Sequence, residues 1–143
     1  MHGNEGKLQT AEHILSKTLE DAFPDAKVII AAFNENSGRL EISSKADLRK
    51  TGKDRVEEAV NSIINRHLRV SKYFLSRDVA SRDFDLSRLP TAVKEVRIVE
   101  IEGFDKTPCK DPHVDNTREI GHFTILKLER AGKDRYRFIF KVE

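Results

Sequence analysis

Cysteine is nearly missing from this chain: among 143 residues there is one, Cys109. A lone cysteine excludes an internal disulfide and fits a reducing compartment, the cytoplasm. Long apolar runs are missing as well. Nothing approaches roughly 18 consecutive apolar residues, so no membrane span is expected, and no N-terminal apolar segment reads as a signal peptide. An excess of one charge is also absent. The 26 Lys and Arg face 24 Asp and Glu, leaving a net charge of +2 in a chain that is 35% charged, so the total says little about partners. Repeats and low-complexity tracts do not occur. Neither does His-Glu-x-x-His, which removes the metalloprotease signature, nor a phosphate-binding glycine loop, so no ATP use is expected. At this length the simplest organisation is one domain over residues 1–143.

What is present follows clear periods. Ala11, Ile14, Leu15, Thr18, Leu19 and Ala22 recur at helical spacing and predict a helix over 9–23, stopped by Pro24. At roughly 100° per residue, Gln9, His13 and Ser16 point away from that stripe. Two strands, 27–33 and 39–43, flank Asn34-Glu35-Asn36-Ser37-Gly38 and predict a hairpin. A second helix is expected over 54–69, with Val56, Ala59, Val60, Ile63, Ile64 and Leu68 inward and His67 in a structural role. Residues 70–75 read as a short strand, and 76–84 as a short helix with Ser76 as its cap. Glu95–Glu102 reads as a strong strand whose alternation slips at Ile98-Val99, marking a bulge or burial on both faces. Strands near 119–129 and 135–142 close the chain around a turn at Ala131-Gly132-Lys133-Asp134. Helices and strands out of βαβα order predict an α+β fold, a mainly antiparallel sheet with helices packed on one side.

The chemistry concentrates in two places. Cys109 stands four residues before His113, in a polar connector stiffened by Pro108 and Pro112. Upstream, Gln9 and His13 form another pair at i, i+4. Thiolate and neutral imidazole are good zinc ligands, and a glutamine carbonyl is a weak one. Three protein ligands plus water is the pattern of a catalytic zinc, and a vacated structural ligand would look the same. Glu12, Asp111 and Asp115 are the nearby carboxylates able to orient a ligand imidazole, although solvated surface is their commoner fate. Asn116 and Thr117 can donate to a substrate or cap a turn, and Gly121 permits a close approach.

Val99-Glu100-Ile101-Glu102-Gly103-Phe104-Asp105, then Pro108-Cys109-Lys110-Asp111-Pro112-His113-Val114 and Asn116-Thr117-Arg118-Glu119-Ile120-Gly121, resembles the second editing motif of the alanyl-tRNA synthetase editing domain and its free-standing AlaX relatives. Thr10-Ala11-Glu12-His13-Ile14-Leu15 looks like that family's first motif, His-x-x-x-His. Threonyl-tRNA synthetase shares a related editing domain. The resemblance covers the whole chain and implies the editing-domain fold common to the threonyl and alanyl enzymes. It further implies an aminoacyl-tRNA deacylase that hydrolyses the ester of mischarged tRNA, serine or glycine on alanine tRNA, with a bound Zn2+. His13, Cys109 and His113 match the family's ligand positions. Gln9 stands where the pattern has its first histidine, and Lys110-Asp111-Pro112 departs from the glycine-rich form found inside the synthetase. No glycine-rich domain precedes residue 9, so the length resembles the shortest AlaX class. Gln9, Thr10, Asp111 and Thr117 are the candidate catalytic residues.

Two regions are locally basic and face the expected tRNA partner. Lys45, Arg49, Lys50 and Lys53 cluster before the second helix, while Arg135, Arg137 and Lys141 share one face of the last strand. A solvated sheet face with a lysine-rich edge is the simpler reading of the second group. Two other functions fit the same residues: a hydrolase using Cys109 as thiolate with His113 or His13 as base, and a non-catalytic tRNA-binding relative with an impaired metal site, for which Gln9 is the best support.

Overall fold

The structure, a computed structural model, describes residues 4–143. Leu8, Ala11, Ile14, Leu15 and Leu19 are each at most 1% exposed and form the inward stripe of the first helix, α1 (Glu5–Ala22). Removing such a side chain from water contributes about 1.5–3 kcal/mol, so this stripe seats the helix. The helix starts a turn before the expected Gln9. Leu8 extends the buried stripe backward, and its N–H already donates to the Asn4 carbonyl (2.9 Å). At the other end the Phe23 N–H closes the last turn on Leu19 (2.9 Å), and Pro24 has no N–H to continue it.

Strands β1 (Lys27–Phe33) and β2 (Gly38–Ser43) form the expected hairpin. The Asn34 carboxamide oxygen organises its turn by accepting from the Asn36 and Ser37 N–H groups (2.8 and 2.7 Å). Gly38 is required by a close approach, since a Cβ there would lie 2.3 Å from the Phe140 ring. Next come the helix α2 (Lys53–Ile64), the strand β3 (Val70–Ser76), the short helix α3 (Arg77–Ala80) and the strands β4 (Glu95–Ile101), β5 (Asp105–Pro108), β6 (Phe123–Gly132) and β7 (Arg135–Val142). One sheet has the order β1-β2-β7-β6 and a second has β3-β4-β5; every pairing is antiparallel. Helices α1 and α2 share a core with the four-stranded sheet, against Leu40, Ile42, Phe123, Phe138 and Phe140, and the fold is α+β. No helix among the described residues is long and apolar enough to cross a membrane.

The short helix expected over 76–84 ends at Ala80, and β6 runs on to Gly132 rather than stopping near 129. Three further differences have a tertiary reason. Helix α2 ends at Ile64, not residue 69. The Thr117 hydroxyl donates to the Ile64 carbonyl (3.0 Å) and accepts from the Leu68 N–H (2.9 Å), while His67 turns to φ 52°. Residues 117–120 form a 3₁₀ turn rather than the start of β6. Asn116 and Glu119 cap it reciprocally and take backbone donors that a strand would need. Strand β5 was not expected from its four residues, which lack alternation; it exists because β4 offers it a pairing edge.

The slip at Ile98-Val99 has a clean cause. Ile98 belongs, with Val96, Ala80 and Leu86, to a smaller core beneath α3, whereas Val99 and Ile101 face the main core. β4 is buried on both faces, without a break in its register.

Candidate metal centre and its cleft

The connector 109–115 leaves β5 and crosses α1. It meets the face of that helix that carries Gln9, His13 and Ser16, which are 8%, 8% and 7% exposed. Those residues do point off the apolar stripe, yet all three are buried, His13 against the connector's His113. Gly6 makes the crossing close: a Cβ there would sit 3.2 Å from the His113 carbonyl carbon.

The crossing brings His13, Cys109 and His113 together, with their ligand atoms all within 4.8 Å of one another. His113 Nε2 lies 3.4 Å from Cys109 Sγ, and the two imidazole rings meet edge to face at 4.5 Å between centroids. Donor atoms on one tetrahedral zinc lie about 3.4–3.8 Å apart, so a small inward adjustment closes this set around a cation. Two nitrogens and one sulfur are also the donor chemistry zinc takes. The residues fit the metal that the sequence implied.

Electrostatics favour the neutral forms of His113 and Cys109. Burial, with the neighbouring His13, Arg97 and Lys72, pushes the His113 pKa down to about 3. Burial likewise raises the Cys109 thiol, against a partly compensating hydrogen bond from the Asp111 backbone. A thiol raised in this way is a poor free nucleophile without a metal or a cationic neighbour to ionise it.

The candidate catalytic residues separate. Thr10 is 0% exposed, with Oγ1 lying 2.8 Å from the Gly6 carbonyl, 3.0 Å from His113 Nδ1 and 3.2 Å from the Val114 nitrogen. It stands behind His113 and does not face solvent. Asp111 is beside the thiol, Sγ to Oδ2 being 3.7 Å. Gln9 is one helical turn from His13 on the same buried face. Thr117 is 0% exposed and its single hydroxyl proton is committed to α2, which leaves none for a substrate.

Two residues not singled out for the site from sequence hold the connector from the other side. Arg97 Nη1 donates to the carbonyls of Asp111 (3.0 Å) and Cys109 (3.5 Å), and the Cys109 N–H donates back to the Arg97 carbonyl (3.0 Å). Lys72 Nζ donates to the Val114 carbonyl (3.2 Å) and to Asp115 (2.6 Å). The available signal was alternation: Arg97 shares a strand face with Val99 and Ile101, and a cation on an apolar face needs a reason to be there.

Beside His13 opens a cleft of about 400 Å³ between α1, β1 and β5, lined by Glu12, Ser16, Glu20, Asp105 and Thr107 among others. Desolvation raises the pKa values of Glu12 and Glu20, with Asp105 adding to both. Glu12 accepts from Ser16 (2.8 Å), not from His13.

The two basic groups are unlike. Arg137 binds Glu41 (3.2 Å) and Glu129 (3.1 Å), Arg135 lies 3.9 Å from Glu41, and Lys141 pairs with Glu143. In the other group Arg49 is held by Asp47 at 2.8 and 2.9 Å. Lys45 and Lys50, with Arg55, border one open hollow, and Lys53 lies 3.6 Å from the exposed Asp54.

Residues 96–139 match the family model described as the threonyl and alanyl tRNA synthetase second additional domain. A threonine–tRNA ligase of Haloquadratum walsbyi is 27% identical over 134 residues, which are 85% of this chain and 20% of the ligase. The alanyl-tRNA editing protein AlaX-M of Methanosarcina barkeri is 32% identical over 141 residues, 94% of this chain and 56% of the relative. The chain belongs to the AlaX-type editing family. A second AlaX-M protein, from Saccharolobus solfataricus, is 36% identical over 107 residues, 70% of this chain and 45% of its own length. The chain thus spans about half the length of these AlaX-M relatives. Both AlaX-type motifs meet at the centre described above, with Gln9 in place of the first motif's leading histidine.

Proposed function

We propose that the chain is a deacylase of mischarged tRNA, acting on serine or glycine esterified to alanine tRNA. The convergence of His13, Cys109 and His113 within 4.8 Å, beside a cleft of about 400 Å³, carries this reading. An aminoacyl ester is already activated, so a positioned water and stabilisation of the developing oxyanion suffice. Zinc held by the three side chains would supply a Lewis acid for the aminoacyl group or its carbonyl. The chain's own residues do the rest. Glu12 and Asp105 present carboxylates to the substrate's α-ammonium group. Gln9, on the helix face beside His13, is the uncharged polar group left to orient the acyl group or the attacking water. Asp111 stays beside the thiol and holds the connector's polar edge.

The test is a deacylation assay on alanine tRNA carrying serine, glycine or alanine, before and after removal of metal by a chelator. Hydrolysis of the seryl or glycyl ester, with the alanyl ester spared and activity lost on chelation, is the expected result. Mass spectrometry should find no acyl-enzyme; an adduct on Cys109 overturns the zinc reading in favour of a thiolate hydrolase. An intact protein that binds tRNA and hydrolyses none of the three overturns the enzymatic reading.

A further inference from the structure

A proton count around Thr10 decides which nitrogen of His113 is free. A threonine hydroxyl has one proton and two lone pairs. The Val114 N–H, 3.2 Å away, can only donate, so it occupies one lone pair. The Gly6 carbonyl, 2.8 Å away, can only accept, so it takes the proton. The remaining lone pair faces His113 Nδ1 at 3.0 Å, and that nitrogen must therefore carry the ring proton. A neutral imidazole has one N–H, so Nε2 is bare. Nε2 is the nitrogen that lies 3.4 Å from Cys109 Sγ. The opposite assignment sends the threonine proton to Nδ1 and leaves two oxygens 2.8 Å apart with no proton between them.

We infer that Thr10 fixes His113 as the Nδ1–H tautomer and so aims the Nε2 lone pair at the metal position. The inference rests on reading the His13, Cys109 and His113 cluster as a metal centre. Thr10 is a positioning residue, since it reaches the centre only through His113. Helix α1 then serves the centre twice. It delivers one ligand directly through His13, and three residues earlier it orients a second ligand that belongs to the connector. Gly6 permits this by letting helix and connector approach within reach of a short hydroxyl. Orientation of a ligand imidazole by a hydrogen bond to its other nitrogen typically changes metal affinity by about 10–100-fold.

The test combines a tautomer measurement with a pair of substitutions. In metal-free, 15N-histidine-labelled protein, long-range 1H–15N spectra at pH 7.5 should show His113 protonated at Nδ1. Thr10→Val keeps the shape and removes the hydroxyl. It should shift His113 toward the Nε2–H form and weaken Zn2+ binding, measured by chelator competition, by about 10-fold or more. Thr10→Ser should restore both within about 3-fold. An Nε2–H resonance in the unsubstituted protein overturns the inference, as does a folded Thr10→Val protein with unchanged tautomer and affinity. If Thr10→Val does not fold, the spectrum of the unsubstituted protein decides alone. A protein that shows the Nδ1–H form yet binds no Zn2+ overturns the metal reading and leaves the tautomer assignment standing.

Discussion

Gln9 lies one turn before His13 on the same buried face of α1 and is 8% exposed. An amide oxygen is a weaker donor to zinc than an imidazole nitrogen. Gln9→His should therefore tighten Zn2+ binding by about tenfold or more in competition with a chelator; equal affinity would place residue 9 outside the coordination sphere. Thr117 gives the opposite expectation. Its hydroxyl joins the end of α2 to the following loop through Ile64 and Leu68. Thr117→Ala leaves the partly buried Leu68 N–H without its acceptor, while the Ile64 carbonyl keeps the His67 N–H (3.1 Å), and should cost about 1–3 kcal/mol in urea denaturation. Its Zn2+ affinity should stay within about twofold, because the side chain holds the fold and not the metal. The two residues show how far sequence reaches at this scale. The spacing of Gln9 and His13 on a helix was legible, whereas the use already made of the Thr117 hydroxyl was not.

The connector 109–115 is the element on which the centre depends, and it has no regular structure of its own. Two prolines stiffen it, but its path is set by partners on both sides: Thr10 and the bare backbone of Gly6 on α1, and Arg97 and Lys72 on the second sheet. Arg97→Met keeps the apolar stem and removes the donors to the Cys109 and Asp111 carbonyls. The expected outcome is metal-free protein with an unchanged circular dichroism spectrum and about 10-fold weaker Zn2+ binding. Unchanged affinity would mean that the prolines alone set the loop. Hydrophobic period located most of the elements around it, including both strands of the first hairpin and the last strand. It failed at β5 and at the end of α2, where pairing with β4 and capping by Thr117 override what the local residues prefer.

At the scale of the whole molecule, net charge conceals how the cations are used. Arg135 and Arg137 gather around Glu41, which is 5% exposed beneath them, and neutralising them would leave that carboxylate with fewer partners. Lys45, Lys50 and Lys53 have weaker internal ties and lie near the start of α2, so they are the stronger candidates for RNA phosphates. Arg49 is held by Asp47 and contributes less. Replacing Lys45, Lys50 and Lys53 by alanine should weaken tRNA binding and lower the log-log salt slope by about 0.7 for each lost contact with single-stranded RNA. Zn2+ affinity should not change. If tRNA binds this variant with an unchanged slope, the RNA docks on another face.

Sequence by itself determined the α+β class, the helical and strand periods, and the pair of motifs that place the chain in its family. These are local properties: a 3.6-residue or two-residue repeat, a proline stop, a Cys-x3-His spacing. Tertiary structure alone decided that His13 is buried under the connector, and that Thr117 caps a helix. It also decided that Arg97 holds the connector 109–115 and that Glu41 ties up the last strand's arginines. Each of those outcomes depends on which groups meet across the chain, 12 residues apart for Arg97 and Cys109 and 96 for Glu41 and Arg137. A one-dimensional pattern records the groups available for such meetings, and only packing assigns the partners.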